Sequence, residues 1–245
     1  MNAISLTNVS MRFPEGKGRK LTVLEDINLE IALGEFFVMV GPSGSGKSTI
    51  LRIMSGLESG YEGTVRFATD LKHSDCSFVF QQFALLPWLT VSENIGLGLV
   101  ARGIPEHEQK TIVSQELSAF GLTHFAHAYP RELSGGMRQR VGIARALATR
   151  PKVIFMDEPF SELDSFTAEE LRLELLEIWR ERRPTIVMVT HIVPEALELA
   201  DRIAVMTPRP GRIEAIVENV LPRPRPKRTE GFFKLEDQLL ELIKE

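Results

Sequence analysis

Short apolar or alternating runs bounded by turn residues open the chain, at 4–13, at 21–33 and at Glu35-Phe36-Phe37-Val38-Met39-Val40. Runs of this length and pattern predict strands. A loop of Gly and Ser follows Val40, and over 47–57 the apolar residues Ile50, Leu51, Met54 and Leu57 return at helical spacing. Strand, glycine loop, helix is the order in which a parallel sheet presents a helix N-terminus to a ligand. Between about 82 and 150 the pattern turns helical, with a polar stretch at 105–110 marking a helix start, which predicts an inserted helical subdomain. Strands return at 153–156, 185–190 and 202–206, alternating with helices at 168–182 and 194–200, so the expected class is α/β.

Residues 208–228 hold five of the fourteen prolines and six basic residues against two acidic ones, which excludes a long helix or a central strand there. Beyond them, Phe232, Leu235, Leu239, Leu242 and Ile243 form one apolar stripe of a terminal helix, expected to pack on its own domain. The reading divides the chain into a main domain, 1–229, carrying the helical insertion at roughly 82–150, and an amphipathic helix at 230–245.

Composition adds limits. The 245 residues carry a net charge of -4, are 43% apolar and 7% aromatic, and include one cysteine, Cys76. That is an ordinary globular profile, neither disordered nor fibrous, with no disulfide framework. The start, Met1-Asn2-Ala3-Ile4-Ser5-Leu6-Thr7, lacks the basic patch and apolar run of a secretory signal, and no apolar run approaches the eighteen or so residues of a spanning helix. The chain is expected in the cytosol unless a partner holds it at a membrane. The mildly negative total gives no reason to propose nucleic acid as the main ligand.

Three segments carry candidate chemistry. Gly41-Pro42-Ser43-Gly44-Ser45-Gly46-Lys47-Ser48-Thr49 fits the phosphate-loop pattern. Its glycines let backbone N–H groups turn around phosphates, Lys47 neutralises the β and γ oxygens, and the Ser48 hydroxyl can ligate Mg²⁺. Asp157 and Glu158 end the apolar run 153–156, at the edge of a parallel sheet where ligands sit. Asp157 is placed to hold Mg²⁺ through its water shell and Glu158 to orient or deprotonate an attacking water. To this point the residues support a nucleotide triphosphatase or kinase. In Leu133-Ser134-Gly135-Gly136-Met137-Arg138-Gln139-Arg140, a Ser and two Gly precede a helix, a second potential anion site built from backbone donors.

With these motifs in this order, the sequence resembles the nucleotide-binding subunits of ATP-binding cassette (ABC) transporters over nearly its whole length. The resemblance implies a phosphate-loop ATPase with a RecA-like core, an antiparallel β subdomain and an inserted helical subdomain. Leu133 to Gly136 matches the family signature, with Met137 where many members have Gln, and Ser134, Gly135 and Gly136 would contact phosphate. Phe13 matches the aromatic that stacks on adenine. Gln81 resembles the glutamine that contacts Mg²⁺ and the attacking water; Gln82 is adjacent, and the Phe80-Gln81 register favours Gln81. Ser161-Glu162-Leu163-Asp164 resembles the segment that crosses the dimer interface, with Glu162 where Ala is usual. His191 takes the place of the γ-phosphate contact, followed by Ile192 where an acid is usual.

One phosphate loop and one signature per chain imply a dimer, because in the family each ATP is enclosed by the loop of one subunit and the signature of the other. ATP and Mg²⁺ are the implied cofactors. The implied partners are a second copy, transmembrane permease subunits and, indirectly, a substrate-binding protein, with the chain peripheral on the inner face of the cell membrane. Trp88, in the apolar stretch 83–91, is a candidate permease contact. The segments 81–91, 209–213 and 221–225 resemble most the importers of nitrate, sulfonate, taurine and bicarbonate. The competing reading is a cassette ATPase acting on nucleic acid or ribosomes. It would carry a long coiled coil between Gly41 and Ser134, which are only 93 positions apart, or two cassettes in one chain.

Overall fold

The structure, a computed structural model, describes residues 1–16 and 19–244, so Glu245 of the expected terminal helix lies outside the described residues. In chain order the elements are β1 (Asn2–Pro14), β2 (Lys20–Ala32), β3 (Phe36–Val40), α1 (Lys47–Ser55), β4 (Glu62–Phe67), β5 (Cys76–Val79), α2 (Val91–Ala101), α3 (Glu106–Ala119), α4 (Gly135–Ala148), β6 (Val153–Asp157), α5 (Ser165–Arg182), β7 (Thr185–Thr190), α6 (Val193–Leu199), β8 (Arg202–Met206), β9 (Ile213–Glu218) and α7 (Glu230–Lys244). They fall into two compact units, 1–73 with 184–245, and 74–183. Among the described residues no helix is long and apolar enough to cross a membrane.

The first unit holds an antiparallel sheet in the order β2-β1-β4 and a second set of strands in the order β7-β3-β8-β9. β3 is buried along its whole length between parallel neighbours, Val38 facing Met188 on one side and Ile203 on the other. That is why it reads as an unbroken apolar run rather than an alternating one. β9 runs antiparallel at the edge, where alternating exposure and a proline-flanked sequence are tolerated. Both β1 and β2 reach 13 residues because bulges absorb the twist, with Asn8 at φ 49° and Asp26 at φ 51°. The stripe on α7 packs as expected against α6 and β8, with Phe232 and Leu239 fully buried and Leu235, Leu242 and Ile243 half-buried.

The second unit pairs β5 with β6 in parallel, Val79 facing Met156, and packs α2 against α3 and α4. The helical reading of 82–150 needs one correction, since 82–90 is not helix. Asn94, fully buried on α2, donates to the carbonyls of Leu86, Leu89 and Thr90 and accepts from the Leu86 amide. One amide side chain thereby satisfies the loop's backbone in place of helical bonds. A capping box between Thr90 and Glu93 then starts α2. Trp88 on this loop is 69% exposed. Cys76 is half-buried, and burial pushes its thiol up to about 11, so it is an unreactive packing residue at neutral pH.

The strands β4, β5 and β9 were not anticipated from the pattern. α1 also stops at Ser55 rather than Leu57, because Gly56 takes the left-handed φ of 77° and accommodates the turn without a Cβ. α5 begins at Ser165, three residues earlier than the apolar pattern indicates, since Asp164 caps it.

Candidate functional site

The glycine loop leaves the carboxyl end of β3 and enters α1 at Lys47. Gly46 is the N-cap at φ 93°, and a Cβ there would lie 2.6 Å from Leu24 Cδ2. The position therefore needs glycine for both its backbone and its space. Lys47 is 5% exposed, and its ammonium donates to the carbonyls of Gly41 at 2.8 Å and Pro42 at 2.9 Å, which holds it across the loop. Pro42, Ser43 and Gly44 form the outer rim and Ser45 is fully buried, while Ser48 and Thr49 are half-buried on the first turn of α1.

His191 belongs to the same edge. It follows Thr190, which pairs with Val40 immediately before the loop, so parallel register alone brings the histidine and the phosphate loop to one end of the strands. The corner is held by a fully buried bond from the Thr190 hydroxyl to Glu195 at 2.7 Å, and the Ile192 amide donates to the same hydroxyl. Ile192, standing where an acid was expected, takes no part in that anchoring through its side chain; Glu195 on α6 supplies the carboxylate. Phe13 lies half-buried on β1 opposite Leu21.

In the second unit a parallel pairing again assembles the candidates. Val79 faces Met156, so Gln81 follows one strand end and Asp157 and Glu158 the other. Asp157 is buried; Glu158 is half-buried at φ 45°, an uncommon backbone conformation for a residue with a Cβ. Ser161 links them: Gln81 donates to its hydroxyl at 3.3 Å, and that hydroxyl donates to the Glu158 carbonyl at 3.0 Å. Gln82 has no such tie among the described residues.

Ser134 caps α4, its hydroxyl accepting from the Met137 amide, and leaves Gly135 and Gly136 as the first helical residues. At Gly136 the lack of a side chain has a structural cause, whereas Gly135 has room for one. A Cβ on Gly135 would sit 3.8 Å from the Glu162 carbonyl, and one on Gly136 would collide with the Thr167 methyl. The signature turn therefore lies against the 162–167 segment. There Asp164 caps α5, accepting from the Thr167 hydroxyl at 2.6 Å and from the amides of Phe166 and Thr167. The Thr167 hydroxyl first, and then its amide, hold the Asp164 carboxyl below the usual carboxylate range.

Thr167 and Glu195 were missed by the reading of the sequence, and so was the link that Ser161 makes between Gln81 and Glu158. Each acts through one hydroxyl or carboxylate on a neighbour, a role that leaves no pattern in the chain. Among the described residues, no group of three or more His, Cys, Asp and Glu side chains is placed to hold a metal.

The family profile described as ABC transporter matches residues 24–161, a span containing the phosphate loop, the signature and the Asp157-Glu158 pair. The chain belongs to the ABC transporter family. The aliphatic sulfonates import ATP-binding protein SsuB of Bacillus subtilis is 43% identical to this ABC ATPase over 227 residues, covering 91% of this chain and 88% of that protein. The nitrate import ATP-binding protein NrtD of a Synechocystis strain is 42% identical over 241 residues, covering 94% and 91%. Among solved structures, the dimeric post-hydrolysis state of the cassette MJ0796 bound to ADP and Pi matches with a TM-score of 0.78 at 35% identity, covering 89% of this chain and 100% of that one. The chain is accordingly an ATP hydrolase with the cassette fold, and the dimer is the form in which that neighbour was solved.

Proposed function

We propose that this ABC ATPase energises import of a small anionic solute, binding two ATP molecules between two copies of itself in head-to-tail arrangement. The observation that carries the reading is Lys47, pinned across the Gly41 and Pro42 carbonyls in a loop whose Gly46 admits no side chain. The loop amides and Lys47 bind the polyphosphate, Phe13 stacks on the adenine, and the partner's signature, equivalent to Ser134, Gly135 and Gly136, closes over the γ-phosphate. Asp164 positions the segment that faces the partner.

Ser48, Gln81 and Asp157 offer hydroxyl, amide and carboxylate oxygens, a hard all-oxygen donor set that suits Mg²⁺ arriving with the nucleotide. When bound, the ion neutralises charge on the phosphate oxygens. Glu158 orients water and takes its proton as the water oxygen bonds to the γ-phosphorus; the bond to ADP breaks and the proton passes to the released phosphate. His191 contacts the γ-phosphate, and Ser161 keeps Gln81 beside the Glu158 corner. Dimer closure on ATP and reopening on product release move a permease between two states, with the exposed Trp88 a contact for it, so the chain works at the inner face of the membrane. The names of SsuB and NrtD support sulfonate or nitrate as the solute class, delivered by a separate binding protein.

Glu158→Gln should bind ATP within about twofold of the parent while turnover falls about a hundredfold or more, in keeping with loss of a general base. Turnover at the parent rate would refute the assignment. For the solute, vesicles carrying the assembled transporter should take up a sulfonate or nitrate only with ATP inside.

A further inference from the structure

Arg209 stands in the turn between β8 and β9 and was given no part in nucleotide binding by the reading of the sequence, yet its guanidinium lies against the phosphate loop. A Cβ built on Gly44 would come within 3.4 Å of Arg209 Nη2, ordinary van der Waals contact. The turn that carries it is fixed. The Thr207 amide donates to the Arg212 carbonyl at 3.0 Å, the Thr207 hydroxyl donates to the Pro210 carbonyl at 3.2 Å, and the same hydroxyl accepts from the Arg212 amide at 3.0 Å.

The turn is also stapled to β2. Gly211 donates to the Val23 carbonyl at 2.9 Å and accepts from the Glu25 amide at 3.0 Å, and Arg212 pairs with the Glu25 carboxylate. A side chain at Gly211 would overlap the Ser45 carbonyl of the phosphate loop itself. The backbone bearing Arg209 is thus pressed onto the loop and held there from β2.

The charge balance at this place is one-sided. Residues 41–49 contain no carboxylate. Glu25, the acid on the facing strand, is already paired with Arg212. Arg209 is exposed and makes no hydrogen bond or ion pair among the described residues. Lys47, by contrast, is buried on the inner side of the loop. An exposed, unpaired guanidinium carried by a fixed turn beside a loop without carboxylates is an arrangement that attracts an anion carrying several phosphate oxygens.

We infer that Arg209 is a second cation of the phosphate site, acting on the polyphosphate of the nucleotide from the outer rim at Gly44. The inference rests on the reading of Gly41 to Thr49 as the nucleotide loop, and the test separates the two. Calorimetric titration of the full-length chain with ATP and ADP at low and high salt would compare the parent with Arg209→Gln, Arg209→Lys and Lys47→Ala. Arg209→Gln should weaken both nucleotides about threefold to tenfold at low salt, with the difference shrinking at high salt as the charge is screened. Arg209→Lys should recover most of the affinity, which a purely structural role for the turn would not require. Parent affinity and salt dependence in Arg209→Gln, with binding lost in Lys47→Ala, would overturn the role of Arg209 alone. Unchanged binding in Lys47→Ala would overturn the reading of the loop and the inference with it.

Discussion

Arg225 gives the basic, proline-rich tail a role that can be tested quantitatively. It is 8% exposed, and its guanidinium donates to the carbonyls of Leu197, Glu198, Ala200, Asn219 and Leu221, gathering the end of α6 and the chain after β9 around one side chain. Consider Arg225→Met, which keeps much of the volume and removes every donor. Leu197 retains the Asn219 side-chain amide, so the loss falls chiefly on Ala200, Asn219 and Leu221. At about 1–3 kcal/mol for each buried acceptor left without a donor, the gross cost is roughly 3–9 kcal/mol. Against this, burial first, and then the neighbouring Arg223 charge, lowers the Arg225 pKa to about 10, so the neutral side chain escapes a penalty on the order of 3 kcal/mol. The net loss then spans roughly 0–6 kcal/mol with a midpoint of about 3 kcal/mol, and the midpoint corresponds to roughly 6–12 °C in Tm for a chain of this size. Thermal unfolding followed by circular dichroism measures it, and ATP affinity of the folded protein should not change. A Tm within a degree of the parent would refute the clamp. If Arg225→Met kept its Tm but lost affinity for RNA, the tail would be a nucleic-acid surface after all.

The signature turn offers a second test. Gly136→Ala should force the Thr167 methyl aside, at a cost of about 1–3 kcal/mol for overpacking, and slow ATP turnover about tenfold. Adding Thr167→Ser removes the methyl and keeps the hydroxyl on Asp164, so the double variant should recover stability and turnover; failure to recover either would show that the collision is not the cause. The cap itself is sensitive to acid. The folded pKa of Asp164 is depressed, so its contribution is present above the unfolded carboxylate value and is lost as pH falls through the folded one. Thr167→Val should raise the Asp164 pKa toward the ordinary carboxylate range and move acid fraying of α5 to higher pH, measured by carboxyl NMR titration; an unmoved titration would exclude the Thr167 hydroxyl as its cause.

What was legible in the sequence follows from the range of the interactions involved. β3 and β7 announce themselves because both their faces are buried, and burial writes an apolar run into the chain. The phosphate loop is legible because its demands are local: glycine where a Cβ would strike Leu24, lysine one residue later at the helix start. β4 and β9 are not legible in that way. Each is an edge strand with one half-exposed face, so its pattern is weak, and β9 sits in a stretch whose prolines rule out only a central strand.

The same distinction explains why composition said so little about the basic, proline-rich stretch at 208–228. Composition reports the number of charges and not where they are aimed. Arg223 and Arg225 are basic residues turned inward, the first onto Asp201 and the Leu199 carbonyl and the second onto its set of carbonyls, whereas Arg209, only a few turns away along the chain, is turned outward beside the phosphate loop. A count treats the three alike. What separates them is the partner each meets: Asp201 and backbone carbonyls engage Arg223 and Arg225, whereas Arg209 keeps its donors for a ligand. Substituting each in turn should therefore divide the stretch by readout, with Tm responding to Arg225 and nucleotide affinity to Arg209. A variant of Arg209 that lowered Tm as Arg225→Met does, with affinity unchanged, would put it among the structural cations and remove the distinction.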